Sequence, residues 1–451
     1  MRYPMRSRIP IVLFMLSAAI PKLRSAEVWL RQDSSEYYYS NPGLWPRYHG
    51  NGTQLNPFYG DFDAIIQSRS PGDIINLNPG VYYTRGGEPK LDPQPSIWKS
   101  NQVLRGAGMA STTIRLGNNE RNQIGAWYAV IYGGRTGVGL QVSDLTVDCN
   151  TLSNPNLATH LGVRDGVMLY GSNTKVRRVK VVKPYGTAVS VGGSTGNEAF
   201  GINLGGLTTN GPVTLTEVNK EISECVVTDV LGNYVSAYLI SGSGTVRFNS
   251  VTFPVLTYGQ HGHEANTTVR KLFAYTAAWA YSAAIMNNSS YGGQKGFWSD
   301  TGALKNVYVL DNDFVNVSEG VSFRLTSETH DYFIFAYNFV SINPVAAGNA
   351  AMWLQVMAPA YMDWIELSNN VIGYQYDPGT FCSVGLNLHG AGGGIANVGD
   401  VYVSSNTIDR RLYKTCWPEP VYSGNLSPAI PQPVVWPPAG PIVNGVPIYC
   451  D

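Results

Sequence analysis

One eight-residue phrase recurs four times in the C-terminal half of this chain: apolar, any, apolar, any, any, Asn, any, apolar. It reads Val307, Val309, Asn312, Phe314; Phe333, Phe335, Asn338, Val340; Ile365, Leu367, Asn370, Ile372; and Val401, Val403, Asn406, Ile408. The first two apolar positions alternate as a short strand does when one face is buried. The Asn falls where alternation stops, which places a turn there. Asparagine tolerates left-handed backbone, and its amide can bond the main chain of a tight bend. The same corner, built repeatedly in the same context, predicts a solenoid.

With an apolar residue in place of the Asn, the phrase extends backwards. Leu140, Val142, Leu145, Val147 fit it, as do Thr174, Val176, Val179, Val181 and Val246, Phe248, Val251, Phe253. Lys220, Ile222, Cys225, Val227 and Thr267, Val269, Leu272, Ala274 fit with one weak position each. Anchored on the second apolar residue, the repeats stand at 142, 176, 222, 248, 269, 309, 335, 367 and 403. The shortest spacings, 21 to 26 residues, suit a bare coil of three short strands and three turns; longer ones hold an inserted loop. Such periods predict stacked coils that bury their apolar faces against their neighbours. An irregular β-sandwich also has many short strands, but it does not keep one phrase in one register through a chain.

Composition bears on what the solenoid can be. The 451 residues are 44% hydrophobic and only 14% charged, with 49 Gly and 28 Tyr, so a large core is available without many helix-favouring charges. Lys+Arg 31 balances Asp+Glu 31, and no global field recommends nucleic acid or an anionic membrane as partner.

The N-terminus reads as an export signal over residues 1–26. Arg2, Arg6 and Arg8 precede an apolar run from Ile9 to Ile20, with small residues at Ser17, Ala18 and Ala19 and again at Ser25 and Ala26. The run is shorter than the ~20 apolar residues that span a bilayer. A buried strand or an uncleaved anchor is the alternative, and no later stretch reads as a membrane span. Residues 27–57 read as an N-terminal extension, 58–412 as the solenoid and 413–451 as a Pro-rich tail packed on the last coil. Cys149, Cys225, Cys382, Cys416 and Cys450 are too scattered for a disulfide framework or a zinc site. Cys225 takes an inward place in the repeat, and Cys416 with Cys450 brackets the tail and could clip it.

A helix start precedes the first coil. An Asp before Ala64, Ile65 and Ile66 can cap a short helix that ends by Pro71 and Gly72, well placed to cover the open end of the core. Asp73 to Leu77 then opens a strand before the turn Asn78, Pro79, Gly80.

These residues carry a family resemblance. Ala64-Ile65-Ile66-Gln67, Pro71-Gly72-Asp73-Ile74-Ile75, Pro79-Gly80-Val81-Tyr82 and Leu104-Arg105-Gly106-Ala107-Gly108 resemble the N-terminal cap and first coils of the pectate-lyase-like superfamily. Asp144-Leu145-Thr146-Val147-Asp148 and Asp165-Gly166 resemble that group too. The resemblance implies an all-β fold, the right-handed single-stranded parallel β-helix with a short N-terminal capping helix. It also implies that Asn312, Asn338, Asn370 and Asn406 form an asparagine ladder. For activity it implies only a wide choice, since lyases, hydrolases, epimerases, esterases, tailspikes and adhesins share this fold. Most catalytic signatures of the group are missing. Gln260-His261-Gly262-His263-Glu264 is a partial echo of the polygalacturonase Gly-His-Gly, without the carboxylates expected upstream. Calcium is a possible cofactor by resemblance, with no clear site in the sequence.

In this fold the sheet preceding the phrase carries a sugar-binding groove on its outward side, which the repeat allows to be projected. Val321, Phe323 and Leu325 pointing inward turn Ser322, Arg324 and Thr326 outward. Met352, Leu354 and Val356 inward expose Trp353 and Gln355, and the next coil exposes Asn387 and His389. One coil earlier stand Trp298 or Asp300, and before them His261, His263 and Glu264. This stripe suits a polysaccharide: indole faces stack on pyranose rings, while Asn and Gln bond hydroxyls. For β-elimination on a uronate, Arg324, His261 or His263 could supply base and cation. For hydrolysis, Glu264 and Asp300 are the carboxyl pair. The expected function is therefore an exported protein that cleaves or modifies an acidic polysaccharide. The alternative is a non-catalytic surface or carbohydrate-binding β-helix. Arg177 and Arg178 with Lys175, Lys180 and Lys183 read as a solvated face, and the Gly-rich runs as loops.

Overall fold

The computed structural model describes residues 25–447 apart from 34, 88–97, 119–126, 135–136, 154–162, 188–197, 206–216, 258–269, 300–301, 344–349, 375–383, 390–396, 409–420, 424–441 and 444–445. Residues 1–24 of the export signal expected at 1–26, Cys382, Cys416, Cys450 and most of the Pro-rich tail lie outside the described residues.

Almost every described strand pairs in parallel with the strand one coil before it and one coil after it. In the second sheet, Val142 stands beside Val176, Val176 beside Ile222, Ile222 beside Val246, and Val246 beside Ile285. The same row runs on through Val309, Phe335, Leu367 and Val403. A second row passes through Ile131, Val167, Ile202, Tyr238, Tyr275, Phe297, Val321, Met352 and Leu386 in the first sheet. A third row includes Val251, Ser290, Phe314, Val340 and Ile372. Three parallel files wound by one chain make a right-handed parallel β-helix. Crossovers between parallel strands are right-handed because twisted strands pack back onto the sheet only that way.

The interior is one continuous apolar column, from Leu30 and Ile75 at one end to Val401 and Val403 at the other. Long side chains are accommodated by glycines on the inner side. A Cβ at Gly296 would strike the Phe314 ring and the Gly320 carbonyl, so this place admits no larger residue.

The capping helix is Phe62–Gln67, and Asp61 is its N-cap, accepting a hydrogen bond from the Ala64 N–H at 3.1 Å. Phe62, Ile65 and Ile66 are buried in the core cluster, Phe62 against Tyr82 and Trp98. Residues 27–57, expected to precede the solenoid, are partly in it. Glu27–Leu30 pairs in parallel with Ile74–Leu77, so the stack begins one strand earlier than the sequence suggested. At the other end, Val421–Ser423 from the tail pairs with Tyr402, Val403 and Ser404 and prolongs the second sheet.

The repeat expected at 248 is out of register: the row passes through Val246, not Phe248, and continues through Ile285. Thr267 and Val269, expected to begin another repeat, lie outside the described residues. Phe248 is 55% exposed, and Leu272 and Ala274 belong to the first sheet rather than to the corner. The corrected repeats bring Asn249 and Asn288 to the place occupied by Asn312 in the next coil.

The corner itself also differs from expectation. The left-handed residue precedes the asparagine: Phe248, Asn287, Asp311, Tyr337, Asn369 and Ser405 have φ of 53° to 59°. Asp144, Arg178 and Glu224 take the same conformation at the earlier corners. Asparagine is therefore not needed there for backbone freedom. Its work is done by the amide. The Asn312 side chain donates to the Ile285 carbonyl at 3.0 Å and to Asn338 Oδ1 at 2.9 Å. Asn338 Oδ1 also accepts the Asn312 backbone N–H at 3.0 Å. The pattern repeats from Asn249 through Asn288, Asn312, Asn338 and Asn370 to Asn406. It begins at Cys225, whose N–H donates to Asn249 Oδ1 at 2.9 Å.

Candidate functional site

The outward side of the first sheet is not uniform along the axis. Over the N-terminal coils it is apolar: Ala129, Tyr132, Met168, Tyr170, Phe200 and Leu239 form a buried cluster separate from the core. Over the C-terminal coils it becomes polar and charged. Trp298, Ser322, Trp353 and Asn387 stand in one row across four coils, and Arg324, Gln355 and His389 in the row beside it. Of Asn387 and His389 the strand is described but not the side chains. His261, His263, Glu264 and Asp300 lie outside the described residues.

The structure adds a pair that sequence reading missed. Lys295 and Glu319 are register partners on adjacent coils of this face, and both are buried. Lys295 Nζ lies 3.2 Å from Glu319 Oε2 and donates to Ser322 Oγ at 2.8 Å. Aromatic rings enclose the same ammonium: Trp298 at 3.7 Å from its ring centroid, Trp353 at 5.4 Å and Phe273 at 6.0 Å. A buried ammonium is held only where a carboxylate and polar or π groups replace its water. Trp298, expected to stack on a sugar, instead lies against Lys295 and Phe273, whose centroid is 5.4 Å from its own.

Local sequence explains the placement. Lys295-Gly296-Phe297 and Glu319-Gly320-Val321 occupy equal positions in successive coils, each charge immediately before an inward glycine. One coil apart means about 4.8 Å between strands, within reach of a Lys–Glu contact. Arg324, by contrast, is exposed and makes no ion pair among the described residues. It lies two residues beyond Ser322 on the same side of the strand, about 7 Å along the chain.

Farther towards the N-terminus on the same face, Ser236 donates to Glu198 and lies 3.1 Å from the Thr276 hydroxyl. Thr276 is the register partner of Trp298, so this polar group adjoins the lysine site. Among the described residues no cluster of three or more His, Cys, Asp or Glu could hold a metal ion. The basic stripe of the second sheet is largely neutralised: Arg177 pairs with Glu221, Arg178 with Asp144 and Lys183 with Asp148.

The arrangement combines a buried ammonium, the Glu319 carboxylate paired with it and the exposed Arg324 guanidinium two residues beyond Ser322. Trp353 provides an apolar wall.

No family model matches the chain, and no curated protein matches it. Several solved structures have a similar fold. The A-module of mannuronan C-5 epimerase AlgE4 from Azotobacter vinelandii is 16% identical, with a TM-score of 0.48 over 79% of this chain and 87% of that one. A family 28 exopolygalacturonase from Yersinia enterocolitica is 10% identical, with a TM-score of 0.43 over 82% of this chain and 75% of that one. The surface adhesin PfbA of Streptococcus pneumoniae is 10% identical, with a TM-score of 0.38 over 81% of this chain and 91% of that one.

Proposed function

We propose that the protein binds an acidic polysaccharide along the outward face of its first sheet and modifies it by β-elimination. The observation that carries this reading is the buried Lys295–Glu319 pair beside Ser322, Trp353 and Arg324, which makes no ion pair among the described residues. Arg324 pairs with the uronate carboxylate and makes the proton on the neighbouring carbon more acidic. Glu319 removes that proton, and the C–H electrons form the new C=C bond. The glycosidic C–O bond breaks, and the leaving oxygen takes a proton from the Lys295 ammonium. Elimination suits the cluster better than hydrolysis, which requires two carboxyls, because Glu319 is its single carboxylate among the described residues.

Such a substrate lies outside the cytoplasm, which agrees with residues 1–26 acting as an export signal. No helix among the described residues is long and apolar enough to cross a membrane. A binding-only reading is favoured by one observation: Lys295 and Glu319 form an ion pair with each other at 3.2 Å.

A panel of pectate, alginate and glycosaminoglycans, followed by ultraviolet absorbance and by reducing ends, separates these readings. Glu319→Gln and Lys295→Met are each expected to lower turnover by about 10²- to 10⁴-fold. Arg324→Ala should chiefly raise KM. Binding of one polymer with no product of either kind would remove the catalytic reading and leave the binder.

A further inference from the structure

The apolar stretch of the first-sheet face contains two polar groups with nothing to bond. Asn203 is fully buried, yet neither its Oδ1 nor its Nδ2 has a partner. It faces outward, because Ile202 and Leu204 on either side belong to the core column. Its register neighbours Met168 and Leu239 belong to the outer cluster. Ser241, in the next coil and the adjoining row, is also buried, and its hydroxyl has no partner. An orphaned buried amide costs about 1 to 3 kcal/mol for each missing partner, so two orphans in adjoining rows of neighbouring coils call for a reason.

The surroundings supply one. Gly205 follows Leu204 with φ of 127°, and a Cβ there would collide with Ser241 Oγ and stand 3.1 Å from Lys220 Nζ. Glycine therefore lets the backbone approach the buried hydroxyl and ammonium closely. Lys220 is paired with Glu217 and donates to the Leu204 carbonyl at 3.3 Å, so the locality carries no net charge. Around it stand Met168, Tyr170 and Leu239. Apolar and aromatic walls with a few convergent donors and acceptors are the composition of a small-ligand site. An amide that offers both a donor and an acceptor matches the vicinal hydroxyls of a sugar.

We infer that Asn203 and Ser241, beside Gly205, form a subsite for an uncharged sugar unit. It rests on the proposed polysaccharide reading for its place in a longer groove, but not for its own chemistry. From Asn203 the row runs through Leu239 and Thr276 to Trp298, three coils at about 4.8 Å each. That is roughly 14 Å, the length of a few sugar units. The face would then bind a chain by charge at one end and by hydroxyl recognition at the other.

The test uses the full chain and neutral probes: methyl glycosides and disaccharides of glucose, galactose and mannose, with binding read by calorimetry and by thermal shift. Asn203→Leu removes an unpartnered amide at similar volume, so its melting temperature should equal or exceed that of the parent. Its affinity for the preferred neutral sugar should fall about ten-fold or more, while Arg324→Ala leaves that affinity unchanged. Ser241→Ala should show a smaller loss. No binding of any neutral probe to the parent protein, or equal binding by Asn203→Leu, overturns the subsite. So does a marked fall in melting temperature for Asn203→Leu, which would reveal a structural role. Failure of the acidic-polysaccharide reading shows separately, as no response to pectate, alginate or glycosaminoglycan in any variant.

Discussion

One corner is built by two chemistries in the same molecule. After the left-handed residue, the N-terminal coils place Leu145, Val179 and Cys225, all buried in the core. From Asn249 onward, the coils place asparagine. Backbone geometry is the same on both sides of the change. What differs is how neighbouring coils are tied. An apolar corner gains from burial, which has no direction and does not specify its neighbour. An amide corner gives each coil a donor and acceptor that only the next coil completes, so the amides act as a connected set. Cys225 stands at the junction: the Val179 N–H approaches its thiol, and burial pushes that thiol up to about 12.

The largest expected effect comes from breaking the amide file at its middle. Asn338→Ala leaves the Asn312 N–H, one Asn312 amide proton and the Val309 carbonyl without partners. We expect a loss of about 3 to 5 kcal/mol, against about 2 for Val179→Ala at an apolar corner. Hydrogen exchange should show protection lost across several coils in the first variant but near one coil in the second. Equal and equally local losses would mean that the two kinds of corner tie their coils alike.

Acid should separate the two regions next. His330, on the C-terminal side, is fully buried, accepts the Leu304 N–H at Nδ1 and faces the Ser327 carbonyl with Nε2. Burial lowers its pKa to about 4 from 6.5. The unfolded chain therefore binds the proton first, and stability falls as pH drops from 6.5 to 4, by roughly 3 kcal/mol. Glu221, on the N-terminal side, is lowered to about 2 from 4.5; burial opposes this, and hydrogen bonds from Arg177, Arg247 and Ser223 outweigh it. Its contribution holds above 4.5 and is lost only towards 2. The half-exposed arginines screen it, so this step is smaller. Exchange rates corrected for intrinsic pH dependence should show the C-terminal coils loosening first. Simultaneous loosening of both would overturn the order.

The smallest effect extends the file. Cys225→Asn would offer the Val179 N–H an amide oxygen, with an expected gain of about 1 kcal/mol by urea unfolding. A loss instead would mean that the apolar corner cannot hold the larger group.

The repeat was legible where it was fullest. In the coils from Val307 to Ile408 every position of the phrase is occupied, and register followed directly. It slipped at Gly244, Val246, Asn249, Val251 and at Ala283, Ile285, Asn288, Ser290, where a glycine and a serine replace apolar residues. Strand alternation has a period of two, so at Val246 a shift by two residues preserves the pattern and conceals the error. Only the corner, where Phe248 turns outward, distinguishes the choices. Outward residues of the first sheet were legible for the same reason that inward ones were. Lys295 and Glu319 were not, since each alone reads as a solvated charge. Their signal was equal position before a glycine in successive coils, visible once those coils are aligned.

The left-handed corner leaves an unwritten margin. Asp144, Arg178, Glu224, Phe248, Asn287, Asp311, Tyr337, Asn369 and Ser405 share one backbone conformation and almost nothing else. The interior makes no demand on that column, as the 60% exposure of Tyr337 illustrates. Its members recur at the pitch of the coils, about 4.8 Å. Chemical groups placed there would stand in file at molecular spacing, and the fold underneath would be indifferent to which ones were chosen.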